Sequence, residues 1–467
     1  MGRRSVAVVG GGISGLAAAW ELARAAGDLD VTVLESTDRV GGKLRLADVG
    51  GIAVDVGAES VLARRPEALA LVEELGLSGR LTHPAAVGAS VLAGGRCRPL
   101  PKGTLMGVPS DPDSLHGLLS EAEVDRVRAE HPTPSGAADV SVGDLVDARL
   151  GPAVTDRLVE PLLAGVYAGH ARAISAEAAV PVLARAAREG RSLVEVAREA
   201  ATAAAASAGQ PVFATLEGGL GTLPAALADA LEDAGVRLRT GAVVRRLRAD
   251  GAGWVVTTGP TTAEVEERFD AVVLATPARP TARLLAEVAP DAAAALAGIE
   301  YASMAIVTLC LDGPPPAVLE GSGFLVPPTE PLSIKASTFS TVKWPWLGRA
   351  HPDRTFLRAS LGRHRDEATL QRSDDDLVAT ALADLHTVLG PGLPEPSAAH
   401  VQRWGGGLPQ YAVGHLARVR TARGLPPGLT VCGAAYDGVG IPACIGSGRA
   451  AARAVLTRWP DTAAALG

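Results

Sequence analysis

The first 35 residues commit the chain to one local architecture. Ser5–Val9 is a short apolar run of the kind a buried strand needs, Gly10-Gly11-Gly12-Ile13-Ser14-Gly15 follows at once, and Leu16–Ala25 has a helical pattern. A second apolar run, Val31–Leu34, ends at Glu35, twenty residues after Gly15. Strand, Gly-x-Gly-x-x-Gly, helix, strand and acid, in this order, make a dinucleotide site. Gly10 permits the tight turn, Gly12 lets the backbone approach a pyrophosphate, and Gly15 lets the helix pack closely on the strand. The helix N-terminus offers N–H groups and partial positive charge to phosphate oxygens, while Glu35, with Ser36 after it, faces the ribose hydroxyls. A glycine-rich turn alone carries little weight; the flanking strands, the helix and the acid carry the reading.

Composition narrows the rest. The 467 residues hold 44 basic and 51 acidic side chains, for a net charge of -7. At about 150 residues per domain the length suggests roughly three domain-sized units. No basic stripe offers a footprint for nucleic acid. Cys97, Cys310, Cys432 and Cys444 form no CxxC pair, and the nine histidines show no ligand spacing, so no metal is expected and a reducing, cytoplasmic setting is. The apolar start is broken by glycines and no run of about 20 apolar residues occurs, so no spanning helix is expected.

Along the chain, the nucleotide-domain texture of 1–84 gives way to turn-rich and then helical sequence over 85–210, with helices expected at 115–130, 141–150, 152–164 and 176–206. Strand and helix alternation returns over 211–299. Residues 300–403 read as an open sheet with helices on one side, including 374–389. In the last segment, 404–467, a strand at Leu429–Cys432 leads through a turn to a helix opened by Ile441-Pro442. The cofactor domain is therefore expected from three segments, 1–84, 211–299 and 404–467.

Beyond Glu35, the run Asp38-Arg39-Val40-Gly41-Gly42-Lys43 and the turn Gly57-Ala58-Glu59-Ser60 resemble the flavin-binding start of the monoamine oxidase and protoporphyrinogen oxidase superfamily. Residues 98–109 (RPLPKGTLMGVP), 160–169 (EPLLAGVYAG), 404–411 (WGGGLPQY) and 433–445 (GAAYDGVGIPACI) resemble segments of the bacterial coproporphyrinogen III and protoporphyrinogen oxidases. The resemblance implies an α/β fold: a Rossmann-like FAD-binding domain, a mixed-sheet substrate domain and a mainly helical domain, as in p-hydroxybenzoate hydroxylase and monoamine oxidase. It implies non-covalent FAD, with Gly42 and Lys43 over the pyrophosphate and Gly57, Ala58, Glu59 and Ser60 reaching the flavin. Val244, Trp404, Gly433, Val439, Gly440 and Ile441 are then flavin contacts.

The implied reaction oxidises coproporphyrinogen III to coproporphyrin III, six electrons leaving in three pairs through FAD to O2 as hydrogen peroxide, with a transient handoff of product to a ferrochelatase. Protoporphyrinogen IX oxidation is the alternative, and a flavin amine oxidase of the same fold a second; a flavin-binding protein without turnover is the reading from another class. The flavin carries the difficult chemistry, so no acid or base is nominated. Arg64, Arg65, Arg98 and Lys102 are candidate partners for the propionates, and Tyr167 a candidate for the cavity wall. Glu59 reads as a backbone-capping acid rather than a proton relay.

Overall fold

The computed structural model describes residues 3–459 apart from 26–28, 135, 137, 138, 207–210 and 252. A five-stranded parallel sheet has the order Arg237–Arg239, Leu29–Leu34, Arg4–Val9, Ala271–Leu274 and Leu429–Val431. The central runs Val6–Val9 and Ala271–Leu274 read as unbroken apolar because both faces are covered. On one face lie the first helix, Ile13–Ala23, and the C-terminal helix, Ile441–Leu456, sharing a core with Val6, Val8, Val31 and Val33. On the other, Trp254, Phe269, Leu285 and Leu296 pack against Ala7, Val9 and Val272. A small antiparallel sheet, Val244–Asp250, Gly253–Thr258 and Val265–Phe269, stands on that side.

A seven-stranded mixed sheet has the order Ala398–Pro409, Tyr301–Asp312, Arg354–Leu361, Ile334–Thr338, Gly323–Leu325, Ser90–Ala93 and Arg96–Pro99. The helix Asp374–Leu389 covers one face through Leu377, Ala381 and Leu385, as the sequence predicts. The hairpin 90–99 lies inside the stretch read as mainly helical, yet it extends this sheet. Two four-residue strands around Gly94-Gly95 are too short to show a periodicity.

The helical layer is more broken than its alanine-rich sequence suggests. The expected helix 176–206 is three, Ala176–Ala179, Pro181–Glu189 and Leu193–Ala206. Pro181 lacks the N–H to continue the first, and Gly190, at φ 67, ends the second. The expected helix 115–130 is a 3-10 turn, Pro112–Leu115, followed by Glu121–Arg128 behind a Ser120/Glu123 capping box. Before Glu160–Tyr167 the helix widens into a π turn at Thr155–Val159, and Pro161 follows in the first turn of the next segment. Among the described residues no helix is long and apolar enough to cross a membrane.

Candidate functional site

The first glycine loop is built as its spacing requires. A Cβ at Gly15 would collide with the carbonyl of Gly10, so only glycine lets the helix start there, whereas a Cβ at Gly12 would meet no protein atom within 4 Å. Gly12 therefore borders open space at the N-terminus of a helix that has no side-chain cap and no acid in its first turn. Glu35 Oε2 accepts the Gly11 N–H at 2.7 Å and Oε1 accepts the Thr37 N–H at 2.8 Å, which fixes the carboxylate at the strand end. The Gly41 N–H donates to the Gly11 carbonyl at 2.8 Å, docking the second glycine pair on the first loop. Lys43 keeps accessible surface although protein surrounds it closely enough for burial to pull its ammonium pKa down, against a small opposing pull from Cys444. Access without distance from the core marks the wall of a cleft.

The C-terminal helix meets the same place. A Cβ at Gly448 would overlap the Ser14 carbonyl, and one at Gly433 would stand 3.9 Å from Ser14 Oγ. Ser447 Oγ accepts the Gly433 N–H and donates to Asp437, so the turn 433–440 is tied to the helix it precedes. Gly440 caps that helix without a side chain, Ile441 and Pro442 open it, and Val439 packs toward the helical layer. Two uncapped helix N-termini and a lysine around one glycine-lined cleft suit a pyrophosphate with a ring beyond it, and the residues present fit FAD.

Gly57 is held where a Cβ would collide with the Lys43 carbonyl, and the Trp404 ring lies against it with Nε1 donating to the Val56 carbonyl at 3.2 Å. Asp55 accepts the Leu220 and Gly221 N–H groups at 2.8 Å each, joining this turn to the second cofactor segment. Among the described residues no backbone N–H donates to Glu59. It is clamped by Lys343 at 2.7 Å and Arg358 at 2.8 Å, while Arg358 also donates to the Gly57 carbonyl. Burial alone would raise its pKa, but the two cations win and hold it down to about 2. The expectation of a capping acid is thus corrected. A carboxylate this enclosed needs charge partners rather than amides, and they come from distant parts of the chain, the short helix Ser340–Lys343 and the strand Arg354–Leu361. Charges set among apolar residues, Lys343 in TVKWPW and Arg358 in TFLRASL, were the available signal, though nothing local pairs them with Glu59.

The seven-stranded sheet presents its other face toward this turn. Gln402, Ile306, Ser360, Ala336 and Leu325 are cross-strand neighbours and form one row, on the face that also carries Arg358. Each keeps accessible surface although four of the five lie on interior strands. An accessible, largely apolar row in mid-sheet has the character of a cavity wall. Beside it the helix Glu160–Tyr167 leaves Leu162, Gly165 and Val166 accessible.

The substrate candidates fare differently. Tyr167 is buried, its ring centroid 5.4 Å from that of Tyr411 inside the helical core, so it backs the wall rather than forming it. An aromatic at a helix end reads alike for either role. Arg65 is paired with Glu67 at 2.7 Å. Arg64, Arg98 and Lys102 are solvent-exposed, Arg98 on the outermost strand of the sheet. Val244 begins the strand beside Glu35, whose carbonyl accepts the Ala242 N–H. Among the described residues no group of His, Cys, Asp and Glu is arranged to hold a metal.

The chain matches a family model described as flavin containing amine oxidoreductase over residues 13–456. It is 41% identical to coproporphyrinogen III oxidase of Mycobacterium tuberculosis over 97% of both chains. It is 32% identical to human protoporphyrinogen oxidase, over 98% of this chain and all of the relative. A solved structure from Exiguobacterium sp. 255-15 superposes with a TM-score of 0.85 at 32% identity, covering 98% of this chain and 100% of the other.

Proposed function

Because the chain belongs to the flavin-containing amine oxidoreductases, we propose that it is an FAD-dependent coproporphyrinogen III oxidase that forms coproporphyrin III in haem biosynthesis. The observation that carries this is end-to-end similarity, at 41% identity, to an enzyme of that name, and the cavity agrees with it. A tetrapyrrole macrocycle wants apolar walls, and Ile306, Ala336 and Leu325 of the row supply one.

Bound FAD supplies the two-electron acceptor, returned to its oxidised form by O2. The chain supplies placement. The glycine loop and Glu35 hold the nucleotide half. The Lys343–Glu59–Arg358 clamp fixes the turn Gly57–Ser60, which would face the flavin, and the Gly440–Ile441 helix start would offer partial positive charge to the bound ring. Burial raises the pKa of both Cys432 and Cys444, so neither is a ready thiolate, which accords with non-covalent FAD. Four free cysteines suit a reducing cytoplasm, where product passes to a ferrochelatase.

The test supplies purified protein with coproporphyrinogen III and protoporphyrinogen IX side by side, following porphyrin fluorescence and oxygen. The expected result is faster turnover of coproporphyrinogen, with about three O2 consumed per porphyrin because electrons leave in pairs. Preference for protoporphyrinogen, the activity named for the human relative, would move the assignment there.

A further inference from the structure

The accessible row across the seven-stranded sheet ends beside two cations that the cofactor machinery does not use. Between Ile334 and Ala336 the pairing against Arg354–Leu361 slips by one residue. Ile334 packs into the core under the helix 374–389, whereas Ala336 stands in the accessible row. The slip frees Lys335 from strict alternation, as bulges do when they re-aim a side chain. Its Nζ reaches the Gly362 carbonyl at 2.9 Å, and the residue is 5% exposed. Next to Gly362, Arg363 donates through Nη2 to the Val326 carbonyl at 2.9 Å, while its buried Nη1 has no partner.

Among the described residues neither cation has a carboxylate within ion-pair distance. Glu160, which faces Arg363 from the helical layer, is engaged by the Ala171 N–H at 2.5 Å and His170 at 3.2 Å, and Asp366 is exposed. Burial, with repulsion from Arg363, pushes the Lys335 ammonium down to about 7, which shows how poorly the pair is compensated. A buried cation without a counter-charge is costly, and the cost is removed when an anion arrives.

The geometry points to Lys335 and Arg363 as the seat of a substrate carboxylate, one propionate arm of the porphyrinogen, at the end of the apolar row that carries the ring. This rests on the porphyrinogen reading above. The remaining Lys335 protons and Arg363 Nη1 can only donate, which matches a carboxylate's acceptors and makes a charge-assisted pair.

The test uses the FAD-loaded protein as wild type, K335M, K335R and R363Q. Affinities for coproporphyrin III and for its tetramethyl ester are read by fluorescence quenching, beside KM for coproporphyrinogen III. K335M and R363Q should bind the free acid about tenfold or more weakly, with K335R close to wild type and the ester bound alike by all four. KM should follow the acid affinity, and the melting temperature without porphyrin should not fall in K335M, since an uncompensated charge has gone. Should K335M fail to fold, R363Q carries the comparison. Wild-type affinity for the acid in K335M and R363Q, or equal losses for acid and ester, would overturn the assignment. A wild type that does not oxidise coproporphyrinogen would sink the functional reading alone, while the contrast between acid and ester would still decide the subsite.

Discussion

At the scale of single residues, the cofactor cleft depends on side chains that are absent and on charges that are enclosed. Gly12 borders open space, so G12V places an isopropyl group where the pyrophosphate belongs with a Cβ that meets no protein atom. Such a protein should fold at normal yield but purify colourless, and a yellow G12V would refute the placement. Glu59 makes the opposite case. Its folded pKa of about 2 lies below the ordinary 4.5, so the clamp contributes fully above about pH 4.5 and is lost as pH falls toward 2. E59Q should therefore be less stable than wild type by about 3 kcal/mol at neutral pH. Chemical denaturation at intervals from pH 6 to 2.5 should show that gap closing as acid is added. A gap that stays constant through this window would mean that Glu59 acts through shape rather than charge.

At the scale of elements, the two helices that end at the cleft are set by one close approach. Gly448 has no room for a Cβ against the backbone of Ser14, and backbone cannot yield as a side-chain tip can. G448V should push the C-terminal helix off the first helix, at a cost of at least about 1–3 kcal/mol, and FAD occupancy should drop with it, read as the ratio of flavin to protein absorbance. Full occupancy would show that the helices can separate without opening the site. The first loop was legible in the sequence because every glycine in it answers a local demand, and so was the helix 374–389, whose apolar face repeats regularly. The division of 176–206 was written there too, in Pro181 and Gly190, but its alanine content outweighed them. The pairings of the Glu59 clamp and of Lys335 with Arg363 were not legible, since each joins residues that only the tertiary fold brings together. The bulge at Lys335 follows from pairing with Arg354–Leu361 and leaves no local mark.

At the scale of the whole molecule, charge has to act against the substrate before it can act for it. The chain is formally -7, and coproporphyrinogen carries four carboxylates, so approach from solution is opposed at long range. The only attraction assigned to a propionate lies at Lys335 and Arg363, where burial limits screening, whereas Arg64, Arg98 and Lys102 are solvated and Arg65 already has Glu67. Raising ionic strength from about 10 to about 150 mM shortens the screening length from about 30 Å to about 8 Å. That relieves the repulsion and barely touches the enclosed pair. kcat/KM for coproporphyrinogen should therefore rise with salt, and rise more steeply than for protoporphyrinogen, which has two carboxylates instead of four. R64A, R65A, R98A and K102A should each leave the KM ratio of the two substrates within about twofold, because an exposed pair is worth about 0–1 kcal/mol. If kcat/KM falls with salt, and one of these four alanine variants abolishes the fall, the substrate is captured by rim cations and the enclosed pair is not what selects it.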